Sequence, residues 1–397
     1  MKIRMSSPDL TDADRQAVLD VVKTPNLSMG PKIDAFERAF CELTGAKHAI
    51  GVSSGTAGLH LCVRAAGIGI GDMVITTPFS FVSSTNVVLF EKAVPVFVDA
   101  EPITGNINPE QLEQAVEDLF LGGDAALRWL PRHLPAVNRG ALKSVIAILP
   151  VDVFGQPADY NKINAVAKQY NLTVIEDSCE ALGGQYQGHP AGTLGDYGVF
   201  AFYPNKQITT GEGGMIITDN SQAADFMCAL RNQGRAPGDT WLQHTHLGYN
   251  YRLDEMSASL GLSQMDRLET MLLQRARVAD WYMQYLENID EVSPPSLVGN
   301  TTRVSWFVYV IRVQDSIDRD RLAAILKANG IPVRPYFAPI HLQPYMQEMF
   351  GYQSGDYPVT EDLGNRSLAL PFSGKMTEEE VVTVCQSIAD ALVSAQN

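Results

Sequence analysis

The amino-acid sequence predicts an α/β fold in which a large domain, built on a mostly parallel sheet flanked by helices, precedes a smaller C-terminal α+β domain. Strand-like and helix-like apolar patterns alternate from residue 48 to residue 218, which is typical of such a sheet. Some strand patterns, such as residues 144–155, are apolar almost without interruption, as strands buried on both faces are. Beyond residue 220 the alternation ends. We therefore predict a large domain over residues 1–265 and a small domain over residues 266–397.

Each element of the large domain is predicted from a local pattern. A helix over residues 8–23 should be capped near Thr11, and a helix over residues 33–44 should end at Gly45, a residue that readily adopts the left-handed conformation. The other predicted elements are strands at 48–52, 73–78, 94–99, 144–155, 172–177, 199–202 and 215–218, and helices at 79–90, 109–120, 158–170 and 223–231. Residues 121–142 contain several glycines, prolines and arginines and are predicted to form a surface insertion.

The smaller domain is predicted from a second set of patterns. A loop at 232–248 separates it from the sheet. Its predicted elements are helices at 254–285, 319–329 and 378–394 and strands at 305–313 and 331–336.

Composition and charge exclude several classes of protein. Apolar residues make up 45% and charged residues 19% of the chain, which indicates a globular protein and not a disordered one. The formal net charge of −15 and the lack of basic clusters disfavour nucleic acid as a partner. No stretch of the sequence is apolar enough for a membrane helix or a signal peptide. We therefore predict a cytoplasmic protein without a membrane partner.

Cysteine and histidine spacing gives no indication of a metal site. The five cysteines are scattered and lack C-x-x-C spacing, which disfavours both a disulfide framework and a zinc site. His244 and His246 could form a metal pair, but no further ligand lies near them in the sequence. No metal is predicted.

Lys206 is the first candidate catalytic residue. It follows the strand pattern of residues 199–202 and precedes a glycine-rich run at 209–214 that leads into another strand. An amine in a partly dry pocket loses some proton affinity and becomes a nucleophile toward aldehydes, which a Schiff base with pyridoxal phosphate requires. On this segment alone, a solvated loop lysine is an equally good interpretation.

Further candidates lie where predicted strands end. Asp177 ends a buried strand, and its carboxylate could keep a pyridine nitrogen protonated. Phe81 could stack on the pyridine ring, although core packing is a strong alternative. Because ligands of such sheets lie beyond the carboxyl ends of the strands, we expect both residues there, together with Asp152 and residues 54–57.

A phosphate site is predicted at the start of the helix that follows residues 48–52. Gly55, Thr56 and Ala57 occupy this turn, where backbone N–H groups and the helix dipole favour an anion. An ordinary helix start capped by serine is the alternative interpretation.

Seven motifs follow one another along the chain: SSGTAGL, FSFVSS, VFGQPAD, IEDSCEALGG, GDYGVFAFYPNKQITTGEGGM, GYNYRLDEMSASLG and VRPYFAPIHLQP. They occur in the order found in the DegT/DnrJ/EryC1/StrS group, and the sequence resembles that family over nearly its whole length. Members of that group are fold-type I, pyridoxal-phosphate-dependent sugar aminotransferases. The resemblance implies that residues 1–265 form the cofactor-binding domain and that pyridoxamine 5'-phosphate occurs as an intermediate of the cofactor.

The resemblance also implies roles for individual residues. Lys206 would hold the cofactor and move protons, and Asp177 would pair with the pyridine nitrogen. The other cofactor-binding residues would be Gly55, Thr56, Ala57, Phe81, Glu180 and Asn250. The asparagine of GYNYR reaches the neighbouring subunit in this family, which implies a homodimer with shared active sites. Arg252, Arg334, Tyr336 and His341 would face the substrate.

Three positions depart from the pattern of the family. Ala201 stands where relatives often have a serine that helps to hold the phosphate. Glu180 replaces a frequent glutamine, and a carboxylate beside the cofactor's phenolic oxygen would be repulsive unless it is protonated or turned away. Asp152 replaces a familiar histidine.

The function implied by the resemblance is transfer of an amino group from an amino acid, expected to be L-glutamate, to a keto-sugar. An inosose, a sugar acid or an aminoglycoside precursor is the alternative acceptor. The sugar is expected to be nucleotide-linked, with Arg334 and the arginines of the 121–142 insertion as candidate cations for its phosphates. A sugar dehydratase of the same family is the first alternative, but those relatives carry histidine in place of the lysine. A non-catalytic regulatory homologue is the second alternative, against which Lys206 and Asp177 both argue.

Overall fold

The computed structural model describes residues 3–396, with the side chains described as far as residue 393. The α-helices in this range are α1 (Asp12–Val22), α2 (Pro31–Thr44), α3 (Gly55–Ala65), α4 (Ser83–Phe90), α5 (Pro109–Leu121), α6 (Gly123–Leu127), α7 (Tyr160–Tyr170), α8 (Ser221–Arg231), α9 (Glu255–Met265), α10 (Leu268–Leu286), α11 (Arg319–Ala328), α12 (Pro344–Phe350), α13 (Pro358–Arg366) and α14 (Glu378–Gln396). The strands are β1 (His48–Val52), β2 (Met73–Thr76), β3 (Val94–Phe97), β4 (Val145–Ile148), β5 (Thr173–Asp177), β6 (Gln185–Tyr186), β7 (His189–Pro190), β8 (Tyr197–Ala201), β9 (Gly214–Thr218), β10 (Val292–Ser293), β11 (Thr301–Arg303), β12 (Tyr309–Val313), β13 (Arg334–Pro335) and β14 (Ser367–Leu370). Short 3-10 helices lie at Ala136–Asn138, Val153–Gly155 and Ile340–Leu342.

A mostly parallel sheet forms the centre of the first part of the chain. Its described strands lie in the order β1-β9-β8-β5-β4-β2-β3. The strands from β8 to β3 pair in parallel, whereas β9 runs antiparallel to both of its neighbours. Apolar side chains of α3 are buried against this sheet. The predicted α/β class is therefore confirmed, with one antiparallel strand inserted beside the edge strand β1.

The predicted helix caps of the first two helices are confirmed. Thr11 caps α1 in a capping box with Asp14, because its side chain accepts from the Asp14 N–H while the Asp14 carboxylate accepts from the Thr11 N–H. Gly45 ends α2 in the left-handed conformation, with φ of 79°. The turn at Gly45 leads into β1, and α3 follows that strand.

A second sheet lies in the C-terminal part of the chain, where its described strands have the order β10-β12-β14-β13. Its apolar face packs with α10, α11 and α14 around a separate core. The sequence did not predict α12, α13 or β14, because the short strand β14 directly follows a helix without a turn signal between them. The boundary between residues 265 and 266 stays a prediction.

The predicted helix over residues 254–285 is wrong, because two helices, α9 and α10, occupy this stretch. Arg267 interrupts them with φ of −125° and ψ of 15°. Its guanidinium group lies 2.9 Å from carboxylate oxygens of both Asp9 and Asp14, which ties the break to the N-terminal segment. No glycine or proline marks the break, so sequence patterns could not reveal it.

The predicted strand over residues 144–155 is too long. Strand β4 covers Val145–Ile148, and the chain then passes through Pro150, which has no N–H to donate to a sheet, into the 3-10 helix Val153–Gly155. The turn brings the backbone of Asp152 onto the end of β5, where its N–H donates to the carbonyl of Asp177 at 3.1 Å. This contact helps to position the end of β5.

None of the described helices combines the length and apolar character that crossing a bilayer requires.

Candidate active site

A cleft of about 420 Å³ opens where several strands of the central sheet end and faces residues from the C-terminal part of the chain. The start of α3, the end of β5 and the end of β8 meet there. A Cβ atom added to Gly55 would lie 2.8 Å from both Ala201 Cβ and Cys179 Sγ, which shows how closely the three segments approach. The predicted site residues that line the cleft are Gly55, Thr56, Phe81, Asp177, Glu180, Lys206, Arg334 and Tyr336.

Four predicted site residues lie outside this cleft. Ala57 is buried in the first turn of α3, where its N–H donates to the Ser54 hydroxyl at 3.1 Å. Asn250 is exposed at the surface, and Arg252 donates to the side chain of Asn232 at 3.1 Å. The expectation that His341 faces a substrate is corrected, because its ring is fully buried and Nε2 lies 3.0 Å from a carboxylate oxygen of Glu361.

The backbone of Lys206 is held on both sides. Its N–H donates to the carbonyl of Tyr203 at 2.9 Å, and its carbonyl accepts from the guanidinium of Arg275 at 2.8 Å. The Arg275 side chain is buried, and this burial lowers its pKa to about 10. The amine of Lys206 points into the cleft, and the side chain is only 13% exposed. The position therefore provides the sheltered amine that the sequence predicts.

Asp177 lies at the last position of β5, where its N–H donates to the carbonyl of Pro150 at 3.0 Å. Burial raises the pKa of its carboxyl group, opposed by hydrogen bonds from Cys179 and by the charge of Lys206. Among the residues that the structure describes, no cationic side chain comes within 4.0 Å of this carboxylate. A protonated ring nitrogen in the cleft would supply the missing positive partner.

Two helix N-termini meet at one side of the cleft. Gly55 and Thr56 begin α3, and the Thr56 hydroxyl lies 2.9 Å from the hydroxyl of Ser83 at the start of α4. The N–H groups of a first helical turn have no partner within the helix, and they favour an anion. The predicted phosphate position therefore gains Ser83, to which the sequence analysis gave no role.

Phe81 presents an aromatic face to the cleft. The residue is 65% exposed and lines the cleft close to the start of α4. The alternative interpretation, in which Phe81 packs in the core, is wrong. A bulky apolar ring left this exposed inside a cleft indicates a ligand surface.

Three further cleft residues were not predicted. The side-chain oxygen of Asn205 is buried and has no hydrogen-bond partner among the described residues. Phe307 and Tyr203 supply aromatic rings, and the Lys206 amine lies 3.8 Å from the centroid of the Phe307 ring. Asn205 could have been found as the neighbour of Lys206, but nothing in the sequence near Phe307 indicates a site.

Two of the family departures are explained by their surroundings. Asp152 is fully buried and accepts hydrogen bonds from Ser178 at 2.7 Å and Tyr160 at 2.9 Å, and burial raises its pKa to about 6. Asp152 does not line the cleft, so the expectation that it lies with the ligand-binding residues beyond the strand ends is corrected. Ala201 does line the cleft, where the hydroxyls of Thr56 and Ser83 remain as donors.

Two arginines of the insertion, Arg128 and Arg132, pair with carboxylates outside the cleft. Arg132 pairs with Asp356, with Nη2 at 2.6 Å from Oδ1, and Arg128 pairs with Asp118. Both lie at other surfaces than the cleft. The expectation that they bind a nucleotide phosphate is therefore corrected, and Arg334 remains as the arginine that lines the cleft.

The cleft fits a phosphorylated pyridine aldehyde. It combines a sheltered amine, a buried carboxylate without a cation, an exposed aromatic face and two helix N-termini. Among the described residues no group of three or more histidine, cysteine or acidic side chains is arranged to hold a metal ion.

Comparisons with known proteins agree on one family. Residues 8–389 match the DegT/DnrJ/EryC1/StrS aminotransferase family. The chain is 35% identical to GDP-perosamine synthase of Caulobacter vibrioides, and the match covers 99% of each chain. It is 32% identical to EpsN of Bacillus subtilis, whose name places it provisionally among pyridoxal phosphate-dependent aminotransferases, over 96% of this chain and 93% of EpsN. The solved structure of Helicobacter pylori PseC, an aminotransferase involved in the biosynthesis of pseudoaminic acid, is similar with a TM-score of 0.87 and 26% identity, over 99% of this chain and 100% of PseC.

Proposed function

The chain belongs to the DegT/DnrJ/EryC1/StrS aminotransferase family of pyridoxal phosphate-dependent enzymes that aminate sugars, and on that premise we propose that it moves an amino group from L-glutamate to a nucleotide-linked keto-sugar. The observation that carries the proposal is the sheltered amine of Lys206 in one cleft with the buried carboxylate of Asp177. The similarity to GDP-perosamine synthase over 99% of each chain supports a nucleotide-linked acceptor. The product would serve a surface polysaccharide or a secondary metabolite.

Five residues would hold the cofactor besides Lys206. The N–H groups of Gly55 and Thr56 and the hydroxyl of Ser83 would bind its phosphate, Phe81 would stack on its ring, and Asp177 would hold a proton on its pyridine nitrogen. When it is bound, pyridoxal phosphate supplies an electron sink for the electron pair released at the substrate carbon. These residues would orient the bound cofactor, and Phe81 would keep water from one face of its ring.

Lys206 would move the proton in each half of the reaction. Its amine would take a proton from the α-carbon of the amino donor and deliver it to C4′ of the cofactor, and in the second half it would carry a proton from C4′ to the sugar carbon that receives nitrogen. The backbone hydrogen bonds to Tyr203 and Arg275 fix the backbone of this lysine at the cleft. Arg334 and Tyr336, which also line the cleft, would orient the substrates.

Replacement of Phe81 by alanine should weaken cofactor binding without preventing it. Aromatic stacking contributes about 0.5–1.5 kcal/mol, so we expect the dissociation constant of pyridoxamine 5'-phosphate to rise between about twofold and tenfold. Phe120→Ala is the matched control, because Phe120 is also half exposed but lies on α5 outside the cleft. Equal affinities of wild type and Phe81→Ala for this ligand, measured by calorimetry, would remove Phe81 from the cofactor site.

Nitrogen transfer from labelled glutamate tests the proposed reaction. The purified protein is incubated with ¹⁵N-labelled L-glutamate and each member of a panel of nucleotide-linked keto-sugars, and products are analysed by mass spectrometry. We expect one acceptor to gain a single ¹⁵N atom in a reaction that requires Lys206. Parallel incubations use keto-sugars without a nucleotide, or labelled glutamine in place of glutamate, and labelling in these incubations alone would contradict the assigned acceptor or donor.

We further propose that the working enzyme is a homodimer in which each chain completes the site of its partner. Asn250 is exposed and lies outside the cleft of its own chain, although it belongs to the GYNYR motif whose asparagine reaches a neighbouring subunit in relatives. The adjacent loop carries Trp241, Leu242 and Leu247, each about 80% exposed, which is a large apolar surface for a free loop. A second copy of the chain would cover this surface.

Complementation between inactive variants tests the shared site. In a mixed dimer of Lys206→Ala and Asn250→Ala chains, one of the two sites would receive both wild-type residues. Random mixing makes half of the dimers mixed, so co-expression should restore about a quarter of the wild-type sites. Lys206→Ala with Asp177→Ala is the control and should restore none, because both residues come from one cleft. The absence of recovery in mixed dimers of the first pair would contradict a shared site.

A further inference from the structure

The amine of Lys206 rests against two groups that favour a charged amine. Nζ lies 3.4 Å from Oε1 of Glu180 and 3.8 Å from the centroid of the Phe307 ring. A carboxylate and the face of an aromatic ring both attract an ammonium group. The side chains of Lys206 and Glu180 are 13% and 8% exposed, so solvent screens their contact little.

The carboxylate of Glu180 is fixed by its other contacts. Its second oxygen, Oε2, accepts from the N–H of Phe154 at 2.9 Å, and its backbone carbonyl accepts from the side chain of Gln207 at 2.6 Å. Phe154 has φ of 58°, a left-handed conformation that is rare for a bulky residue and that aims this N–H at Glu180. Oε1 is thereby left facing the amine.

The surroundings favour a proton on Glu180. Burial raises the pKa of its carboxyl group, the charge of Lys206 and the hydrogen bonds from Phe154 and Lys206 oppose this shift, and the nearby charge of Asp177 adds to it. The other titratable groups that line the cleft with the pair are Cys179, Tyr203, Glu212, Arg334 and Tyr336. Burial raises the pKa of the Cys179 thiol, and it raises the pKa of Tyr336 to about 12.

We propose that Glu180 is the proton acceptor and positioning residue for the amine of Lys206 whenever that amine is not bound to the cofactor. One proton moves from Nζ to Oε1: an N–H bond breaks, an O–H bond forms, and both groups become neutral. The lone pair on Nζ is then free to attack a carbonyl carbon. This inference rests on the proposed function of Lys206 in capturing the cofactor, and it gives the replacement of the family's glutamine by Glu180 a chemical role.

Proton transfer within the pair has a consequence for pH dependence. While the pair holds a single proton, the fraction of neutral amine does not depend on pH, because no proton is exchanged with water. In Glu180→Gln the amide cannot accept the proton, which must pass to water. The fraction of neutral amine then rises about tenfold with each pH unit, as for any amine that is mostly protonated.

Stopped-flow capture of the cofactor by the cofactor-free protein tests the proposal. The rate of covalent capture of pyridoxal phosphate is followed by absorbance between about pH 6 and pH 8, and the ratio of variant to wild type is expected to rise about tenfold per pH unit. Dividing the capture rate of the variant by that of the wild type at each pH cancels the effect of the cofactor's own titration, because that titration is the same in both experiments. Pyridoxamine 5'-phosphate is the control ligand, because it lacks the aldehyde and needs no neutral lysine. Its association rate ratio should be flat, and its binding shows that the variant is folded.

Two results would overturn the proposal. One is a variant-to-wild-type ratio of capture rates for pyridoxal phosphate that does not change with pH. The other is an equal change with both ligands, which would mean that Glu180 acts by touching the cofactor and not through the lysine.

Two more variants keep the test decisive. Phe307→Leu removes the ring and leaves the proton acceptor, so capture should become severalfold faster at every pH without a change in slope. A slope like that of Glu180→Gln would contradict the role of Glu180. Covalent capture of pyridoxal phosphate by Lys206→Ala would contradict the proposed function of Lys206 itself, whatever Glu180→Gln shows.

Discussion

Replacement of Lys206 by alanine is expected to abolish amino transfer and the visible absorption band of the lysine-bound cofactor. The variant loses both the nucleophile that captures the cofactor and the group that moves the proton, and general acid–base catalysis alone contributes about 10²–10⁴-fold. We therefore expect kcat to fall by at least about 10⁴-fold. The rate of keto-sugar amination and the absorption spectrum of the purified variant measure the two effects.

A lysine on the outer surface supplies the control for this variant. Lys168 is exposed on α7, and Lys168→Ala should keep both the absorption band and the activity. The Lys206→Ala protein should still bind pyridoxamine 5'-phosphate, since the phosphate and ring contacts remain. Activity within tenfold of wild type would show that a different residue moves the proton.

Replacement of Asp177 by asparagine should have the second largest effect. The amide keeps the shape of the side chain but cannot hold a positive charge on the pyridine nitrogen, so the electron sink weakens. Removing one partner of a buried charge pair costs about 3–5 kcal/mol, which corresponds to a loss of roughly 10²–10⁴ in kcat. Steady-state amination kinetics measure this loss.

The cofactor should remain attached in Asp177→Asn, because Lys206 is unchanged. A shifted absorption band together with slow turnover is therefore the expected signature. Glu212→Gln is the control, since Glu212 is an exposed carboxylate at the same cleft, and this variant should keep the wild-type band position. A normal band and normal kcat in Asp177→Asn would mean that this carboxylate does not face the pyridine nitrogen.

The convergence of several candidate residues could be predicted because strand ends are readable in the sequence. Parallel strands end at the same edge of a sheet, so Asp177, which closes β5, and Lys206, which follows β8, were expected to lie together. The structure places both in one cleft with Phe81 and the start of α3. Their chemical roles stay predictions.

The direction in which a side chain points at the end of a strand could not be predicted from the sequence. The N–H of Asp152 donates to the backbone carbonyl of Asp177, yet only Asp177 lines the cleft. Asp152 turns inward because Ser178, Tyr160 and the N–H of Ala158 satisfy its carboxylate in the interior. Such a hydrogen-bonded position depends on residues from three segments, and no local pattern encodes it.

Contacts from the C-terminal part of the chain were the hardest to predict. Phe307 reaches Lys206 from a segment about a hundred residues away, and nothing in its local pattern distinguishes it from a core residue. His341 shows the opposite error, since it belongs to a loop that faces substrate in relatives but is here fully buried beside Glu361. A motif fixes the neighbourhood of a residue, whereas packing decides whether its side chain reaches the site.

The absorption spectrum of the cofactor-loaded protein during addition of L-glutamate tests the central claim most directly. We expect a visible band that requires Lys206, loses intensity when glutamate is added and returns when a keto-sugar acceptor follows. A band that forms equally well in Lys206→Ala, or one that no amino donor changes, would contradict the assignment of this chain's cleft to amino transfer through Lys206.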